Sequence, residues 1–295
     1  MALGACFKHT LRPRNKHKEP SLNTSSHTLS GSTTLADVLR LVGHESPDDA
    51  EDVQAAAQWV IGLRRVPAGL TLIHMGAKAD AIYFVHTGTF KIFRSDEDGY
   101  EQVQAFAGRR EVLAFDALCM DVHPTAAMAL EDSTVFVIPK SELPTFSHAV
   151  PAFGRALQRA GSVALTRTND LVDVMAAVAS EVRLARFLLQ LSRQMAASAQ
   201  SPRRFHLRMG RRDIASMLGV AHETVSRSFT AMSLAGLIHV NDRDVEILDM
   251  DALRAYSRST RRTLDDLGAP SSTRRPAPQR HSTTCRPTGL QPMAA

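Results

Sequence analysis

Glu223, Ser226 and Arg227 are the residues whose types and spacing could do the most specific chemistry in this sequence. Positions i, i+3 and i+4 of a helix share one face, so a helix through Val225 would present the three side chains together. An arginine can donate to guanine O6 and N7 at once, a glutamate can accept from cytosine N4, and a serine hydroxyl can meet a base edge or a phosphate. The elements that must position them lie alongside. Ile214, Ala215 and Leu218 sit at helical spacing, Gly219 permits a sharp turn because it reaches positive φ without penalty, and Val225 and Phe229 face inward from a second helix. A small residue, a glycine four later and a branched apolar residue six after that is helix-turn-helix spacing. Ala215 is small where the helices cross, and Val225 packs between them. Leu237–Val240 and Val245–Leu248 flank Asn241–Asp244 as a hairpin, which predicts a wing. Across residues 203–230, Arg203, Arg204, Arg208, Arg211, Arg212 and Arg227 face only Asp213 and Glu223, a basic patch of the kind that phosphate neutralisation needs. The competing reading is a generic helical hairpin whose Glu223 and Arg227 pair in solvent.

The whole-chain balance is less telling than that patch. The 295 residues carry a formal net charge of +5, from 35 Lys+Arg against 30 Asp+Glu. Much of the excess lies at the ends. Residues 1–34 hold Lys8, Arg12, Arg14, Lys16 and Lys18 against Glu19. Residues 258–295 hold Arg258, Arg261, Arg262, Arg274, Arg275, Arg280 and Arg286 against Asp265 and Asp266. Both ends lack apolar periodicity and read as disordered basic tails. A hydrophobic content of 44% excludes a wholly disordered chain, and the length fits two medium domains. The longest apolar runs, such as Ala126–Leu130, are too short to cross a bilayer, and no apolar stretch precedes Cys6 to make a secretory signal. Three cysteines, Cys6, Cys119 and Cys285, give neither a disulfide framework nor a C-x-x-C pair, which fits a reduced cytoplasm. No nucleophile–base pair, metal triad or phosphate loop is present, so neither an enzyme nor a metal site is expected.

Between the tails the pattern changes twice. Helices are expected at Leu35–Val42 and Asp48–Ile61. From Arg64 to Pro139 short apolar runs recur at Leu70–His74, Ile82–His86, Phe90–Arg94, Val103–Phe106, Val112–Phe115, Thr125–Leu130 and Thr134–Ile138. Turn residues separate them, with Gly88 reading as one hairpin and Asp96, Glu97, Asp98 and Gly99 as a second, acidic one. That is the pattern of a small β-sandwich or barrel. After Pro151, Leu157, Ala160, Ala164, Arg167, Leu171, Val174 and Val178 alternate spacings of three and four, an a/d seam. It is either the inner face of a lone amphipathic helix or a dimer helix. Its alanines and Arg167 make a marginal seam, so dimerisation could be coupled to an effector. A further helix is expected over Glu181–Met195.

In this order, the sandwich, the long helix and the winged helix-turn-helix resemble the CRP/FNR family of bacterial transcription regulators, in its FNR-like form, over about residues 35–256. Three stretches carry the resemblance. In the sensor they are Phe115-Asp116-Ala117 with His123-Pro124, and Ala129-Leu130-Glu131 with Ile138-Pro139. Glu181–Arg193 follows the long helix. Asp213-Ile214, Leu218-Gly219 and Glu223-Thr224-Val225-Ser226-Arg227 mark the reading head, where the Glu-x-x-Ser-Arg pattern is the most specific. The resemblance implies an α+β fold: a cyclic-nucleotide-binding-like β-roll over 35–150, a dimerisation helix over 151–179 and a winged helix-turn-helix over 180–257. It implies a homodimeric activator on double-stranded DNA, at an inverted repeat of TTGAT and ATCAA. Arg227 would read the guanine, Glu223 the opposite cytosine and Ser226 a thymine, while Arg211 and Thr224 hold phosphates. The hairpin Asp96–Gly99 matches the loop that touches the RNA polymerase sigma subunit, although a solvated turn accounts for it equally.

The departures concern the sensor. The iron–sulfur members of the family hold a [4Fe–4S] cluster on four cysteines, and a cluster needs thiolates. Here no cysteine lies near Leu35–Leu41, and Phe136 stands at the sensor position. Cyclic AMP-binding members use a Gly-Glu pair and a later Arg-Ser pair. Arg110-Glu111 and Pro124-Thr125 stand there instead, so Glu111 and Thr125 could meet a sugar or phosphate, but no arginine supplies the bidentate charge. His74, His86, His123, Cys119 and Met120 are conceivable haem ligands. The expectation is therefore a regulator in oxygen-, nitric-oxide- or redox-linked control without its own cluster. Its rival is a haem- or small-ligand-sensing signalling module that acts mainly through protein contacts.

Overall fold

A computed structural model describes residues 33–43 and 50–258. The basic tails, apart from residues 33, 34 and 258, lie outside the described residues, as do Cys6, Cys285 and the expected helix start at Pro47 and Asp48. By its internal contacts the chain divides into two units, residues 1–166 and 167–295.

The first unit contains two sheets. One is five-stranded, in the order β1 (Thr33–Thr34), β2 (Val60–Val66), β9 (Ser133–Pro139), β4 (Ala81–Thr87) and β7 (Val112–Leu113). The other holds β3 (Thr71–Ile73), β8 (Ala126–Ala129), β5 (Phe90–Ser95) and β6 (Glu101–Ala107). The pleat decides what each sheet buries, because successive side chains point to opposite faces. Tyr83, Val85 and Val135 of the first sheet join Phe90, Ala127 and Ala129 of the second in one core. Ile82, Phe84, Phe136 and Ile138, on the opposite face of the first sheet, join a second core with α1 (Leu35–Val42), α3 (Leu143–Ala149) and the start of α4 (Pro151–Met175). α1 has a capping box, in which the Thr34 amide donates to the Asp37 carboxylate at 2.8 Å. Gly43, at φ 81°, ends it.

Three sequence expectations are corrected in this unit. Helix α2 spans only Ala50–Ala56, and Val60 and Ile61 belong to β2, where β-branched residues pair with Thr34 and Thr33. Gly88 is not a hairpin turn. β4 and β5 lie in different sheets, so Gly88, at φ 93°, turns a corner between them, close against Ser133. The run Val112–Phe115 is a strand for two residues only, because Ala114 turns left-handed at φ 62° and a 3-10 turn follows. Arg110-Glu111 forms a strained turn, in which Arg110 takes φ 76°.

The expected seam lies along α4 except at its last residue. Val178 lies beyond the end of the helix and is 69% exposed. Val174 is 2% exposed within its own chain, and Leu157 packs on the α1–α3 core. Leu165 and Val172, seven residues apart, are instead exposed at 64% and 62%. The helix thus spends Leu157 and Val174 on its own chain and leaves a second apolar pair exposed.

The second unit holds α5 (Ser180–Ala197), β10 (Arg204–His206), α6 (Arg211–Leu218), α7 (His222–Leu234), β11 (Ile238–Asn241), β12 (Asp244–Ile247) and α8 (Met250–Ser257). Its sheet has the order β10-β12-β11, so the expected two-stranded wing gains a third strand that periodicity did not reveal. No described helix is long and apolar enough to cross a membrane.

Candidate nucleic-acid interface

Helices α6 and α7 meet through Ile214, Ala215, Leu218, Val225 and Phe229, all buried. Between them Gly219 takes φ 63°, a region that costs an L-residue roughly 1–2 kcal/mol. A Cβ there would also stand 3.0 Å from Met175 Cε. The positive φ is what favours glycine at this turn, and the Met175 methyl would have to shift slightly for any larger residue. Arg183 of α5 holds it from the other side, donating from one guanidinium nitrogen to the Leu218 carbonyl and from another to the Ala177 carbonyl, each at 2.8 Å. These bonds satisfy a carbonyl at the end of α6 that the helix itself leaves open.

On the outer side of α7, Glu223 and Arg227 are exposed and Ser226 is half-buried. Among the described residues Glu223 and Arg227 form no ion pair with each other, so the generic solvent pair is not what the helix contains. The Ser226 hydroxyl donates back to the His222 carbonyl at 3.2 Å, a contact that a base acceptor can replace. Thr224 is half-buried within the first turn of the helix. His222, exposed at the first position of α7, is a polar group of this face that the spacing argument did not single out.

Arg211 is placed differently from a free phosphate ligand. Its guanidinium carbon lies 3.6 Å from the centroid of the Phe229 ring, and one nitrogen donates to the Asp242 carbonyl at 2.9 Å. Burial pushes its pKa down, opposed by Asp242. Stacking of this kind is worth on the order of 1 kcal/mol or more when desolvated. It ties the start of α6, the middle of α7 and the wing turn together. In that turn Asn241 pairs with Asp244 and Asp242 is left-handed at φ 51°. Arg212 and Arg243 remain exposed beside it.

In the sensor, Glu111 and Thr125 are engaged within their own unit. The Glu111 carboxylate accepts from the Gly108 amide at 2.6 Å, and the Thr125 hydroxyl donates to Asp116 at 2.8 Å. His123 is buried with Nδ1 unpartnered, and burial pushes its pKa down against the pull of Asp116 and Asp80. His74 and Cys119 are exposed, and His86 bonds the Thr134 hydroxyl at 3.1 Å. In the acidic hairpin Asp96 is spent on the Tyr100 amide at 2.8 Å, Gly99 takes φ 79°, and Glu97 and Asp98 are exposed. Arg167 is half-buried in α4, where burial pushes its pKa down to about 10 with Asp170 opposing.

Two family profiles match the chain: the Crp-like helix-turn-helix domain over residues 182–256 and the cyclic nucleotide-binding domain over residues 63–148. The transcriptional regulatory protein btr of Bordetella pertussis is 36% identical over 205 residues, which is 70% of this chain and 85% of that protein. The fumarate and nitrate reduction regulatory protein of Escherichia coli K12 is 33% identical over 196 residues, 66% of this chain and 78% of its own length. FixK2 from Bradyrhizobium japonicum, at 23% identity, has the same fold with a TM-score of 0.61 over 68% of this chain and 98% of its own.

Proposed function

The chain belongs to the CRP/FNR family of DNA-binding transcription regulators, and on that premise we propose that it reads an inverted repeat of TTGAT and ATCAA as a homodimer. The observation that carries this reading is the outer face of α7, where Glu223 and Arg227 stand exposed beside Ser226 at the spacing that reads a G·C pair. Arg227 donates to guanine O6 and N7, Glu223 accepts from the opposite cytosine, and Ser226 turns from the His222 carbonyl to a thymine. Thr224 and the outer nitrogens of Arg211 contact phosphates. Two such heads, about one helical turn apart, enter successive major grooves. The dimer closes along α4 on the exposed Leu165 and Val172, with Ala164 and Leu171 beside them. Glu97 and Asp98 of the acidic hairpin form a contact for RNA polymerase.

The control is linked to oxygen, nitric oxide or redox state without a [4Fe–4S] cluster of the protein's own. Such a cluster takes four thiolates, and the chain has three cysteines, so the residues present do not fit it. Cyclic AMP is disfavoured as the effector in this reading, because Glu111 and Thr125 already bond to the Gly108 amide and to Asp116. The test is binding to a TTGAT–ATCAA duplex against a scrambled duplex across a range of salt. A strong preference for the repeat, with affinity falling as salt rises, is expected; equal affinity for both would overturn the reading. An absorption spectrum of protein prepared without air checks the sensor. Iron–sulfur bands would overturn the cluster-free assignment, and a Soret band would assign haem.

A further inference from the structure

Glu111 and Thr125 of the sensor are engaged in bonds of their own, but Arg109 of the same turn lines a cavity. Gly108–Glu111 is folded tightly. Glu111 closes it through the Gly108 amide, and the Arg110 amide donates to the Val85 carbonyl at 2.9 Å. Arg110 itself has φ 76°, a conformation that a long side chain adopts only when its surroundings enforce it. What enforces it is visible: Arg110 Nε donates to the Leu41 carbonyl at 2.8 Å, fastening the turn to the end of α1.

That fastening leaves the neighbouring Arg109 on the rim of a cavity of about 400 Å³ between α1 and the sheet. The size lies within the range of small-molecule sites, roughly 300–1,000 Å³. Its apolar wall is Leu41, Leu63 and Phe136, with the His86 ring tilted against Phe136 at 5.1 Å. Its charged rim is Arg40, Arg109 and Asp37. Asp37 is consumed by the Thr34 amide and by Arg40, which it meets at 2.9 Å. Arg109 has no partner among the described residues. An apolar wall beneath an uncompensated guanidinium selects a particular ligand chemistry: an apolar body to displace water from the wall and a carboxylate or similar anion to take the guanidinium's forked donors.

We propose that this cavity between α1, β2 and the Gly108–Glu111 turn binds a small organic anion with an apolar body, with Arg109 as its anion contact. The site belongs to the first unit alone, so binding can be measured without DNA. The claim goes beyond the DNA reading and fails or stands separately from it.

The experiment uses the full chain and calorimetric titration with benzoate, benzamide, benzylamine and acetate. Benzoate is expected to bind in the millimolar range or tighter. Its neutral and cationic isosteres, and acetate without the apolar body, should bind at least tenfold more weakly. Arg109→Gln, at an exposed position that packing does not constrain, should weaken benzoate at least tenfold and leave the melting temperature of the unliganded protein unchanged. A second surface variant, Arg40→Gln, should give a smaller loss, because that guanidinium is shared with Asp37. Equal binding of benzoate and benzamide, or undiminished binding by Arg109→Gln, would overturn the proposal. So would the absence of benzoate binding at millimolar concentration. If benzoate binds only after residues 1–32 are removed, the chain's own N-terminus fills the cavity and the proposal is likewise overturned.

Discussion

Glu223 and Arg227 stand out from α7 without pairing to each other, whereas Glu111 and Thr125, at the corresponding ligand positions of the sensor, are both bonded inside their own unit. The two regions show opposite treatments of polar groups. A reading head must keep its donors and acceptors unsatisfied, because exposed groups are solvated at little cost until bases replace the water. In the sensor the Glu111 carboxylate and the Thr125 hydroxyl instead find their partners within the unit, each bond worth about 1 kcal/mol. Gly88 and Gly219 repeat the contrast in the backbone: one turns a corner between sheets, the other turns between the two helices of the head, and both have positive φ.

Substitutions can break that contrast, beginning with the largest. Gly88→Ala places a Cβ 2.9 Å from Ser133 Cα at positive φ, and should destabilise the sensor unit by roughly 3 kcal/mol or more. Calorimetry should show the loss in the sensor transition, and an unchanged thermogram would refute the packing. Arg227→Ala should cost about 1–3 kcal/mol of affinity for the repeat with little change on scrambled DNA, measured by fluorescence anisotropy. A uniform loss on both duplexes would make Arg227 a phosphate contact instead.

His123, buried in the sensor unit, provides a pH test. Its pKa is lowered in the folded protein by burial, so the folded state favours the neutral ring. The stabilisation is therefore complete above the ordinary histidine pKa, about 6.5, and is lost as pH falls below it. The melting temperature should drop as pH is lowered from neutrality, and His123→Phe should flatten that part of the profile. The smallest effect is expected for Thr125→Val. It removes one solvent-exposed bond to Asp116, worth about 1 kcal/mol or less, and should leave DNA affinity unchanged. A large gain or loss of DNA binding would show that this threonine still transmits a ligand signal.

How much of this was legible in the sequence varies along the chain. The helix-turn-helix could be read closely because its constraints are local: Ala215, Gly219 and Val225 lie within a few residues of one another. The sheets were read as runs but not as partners. Strand β2 was missed at Val60 and Ile61 because its pairing with Thr33–Thr34 and with β9 spans many residues. The third strand of the wing sheet, Arg204–His206, alternates too briefly to signal itself. Along α4, periodicity shows that an apolar stripe exists but not which of its residues, such as Leu157 and Val174, the chain uses for its own core.

The sequence by itself determined the order of the units, the helix-turn-helix with Glu223, Ser226 and Arg227 on one face, and the scarcity of cysteine, since each follows from residue type and short-range spacing. Tertiary structure decided which polar groups remain available. It alone sets Arg211 on Phe229 and the wing turn. It lets Asp52 accept from the Ala152 amide at 2.7 Å at the start of α4, a hundred residues away. It also satisfies Glu111 and Thr125 while leaving Arg109 beside a cavity. Hydrogen bonding and desolvation act over a few ångströms in space, and distances of that kind between residues far apart in the chain exist only once the chain has folded.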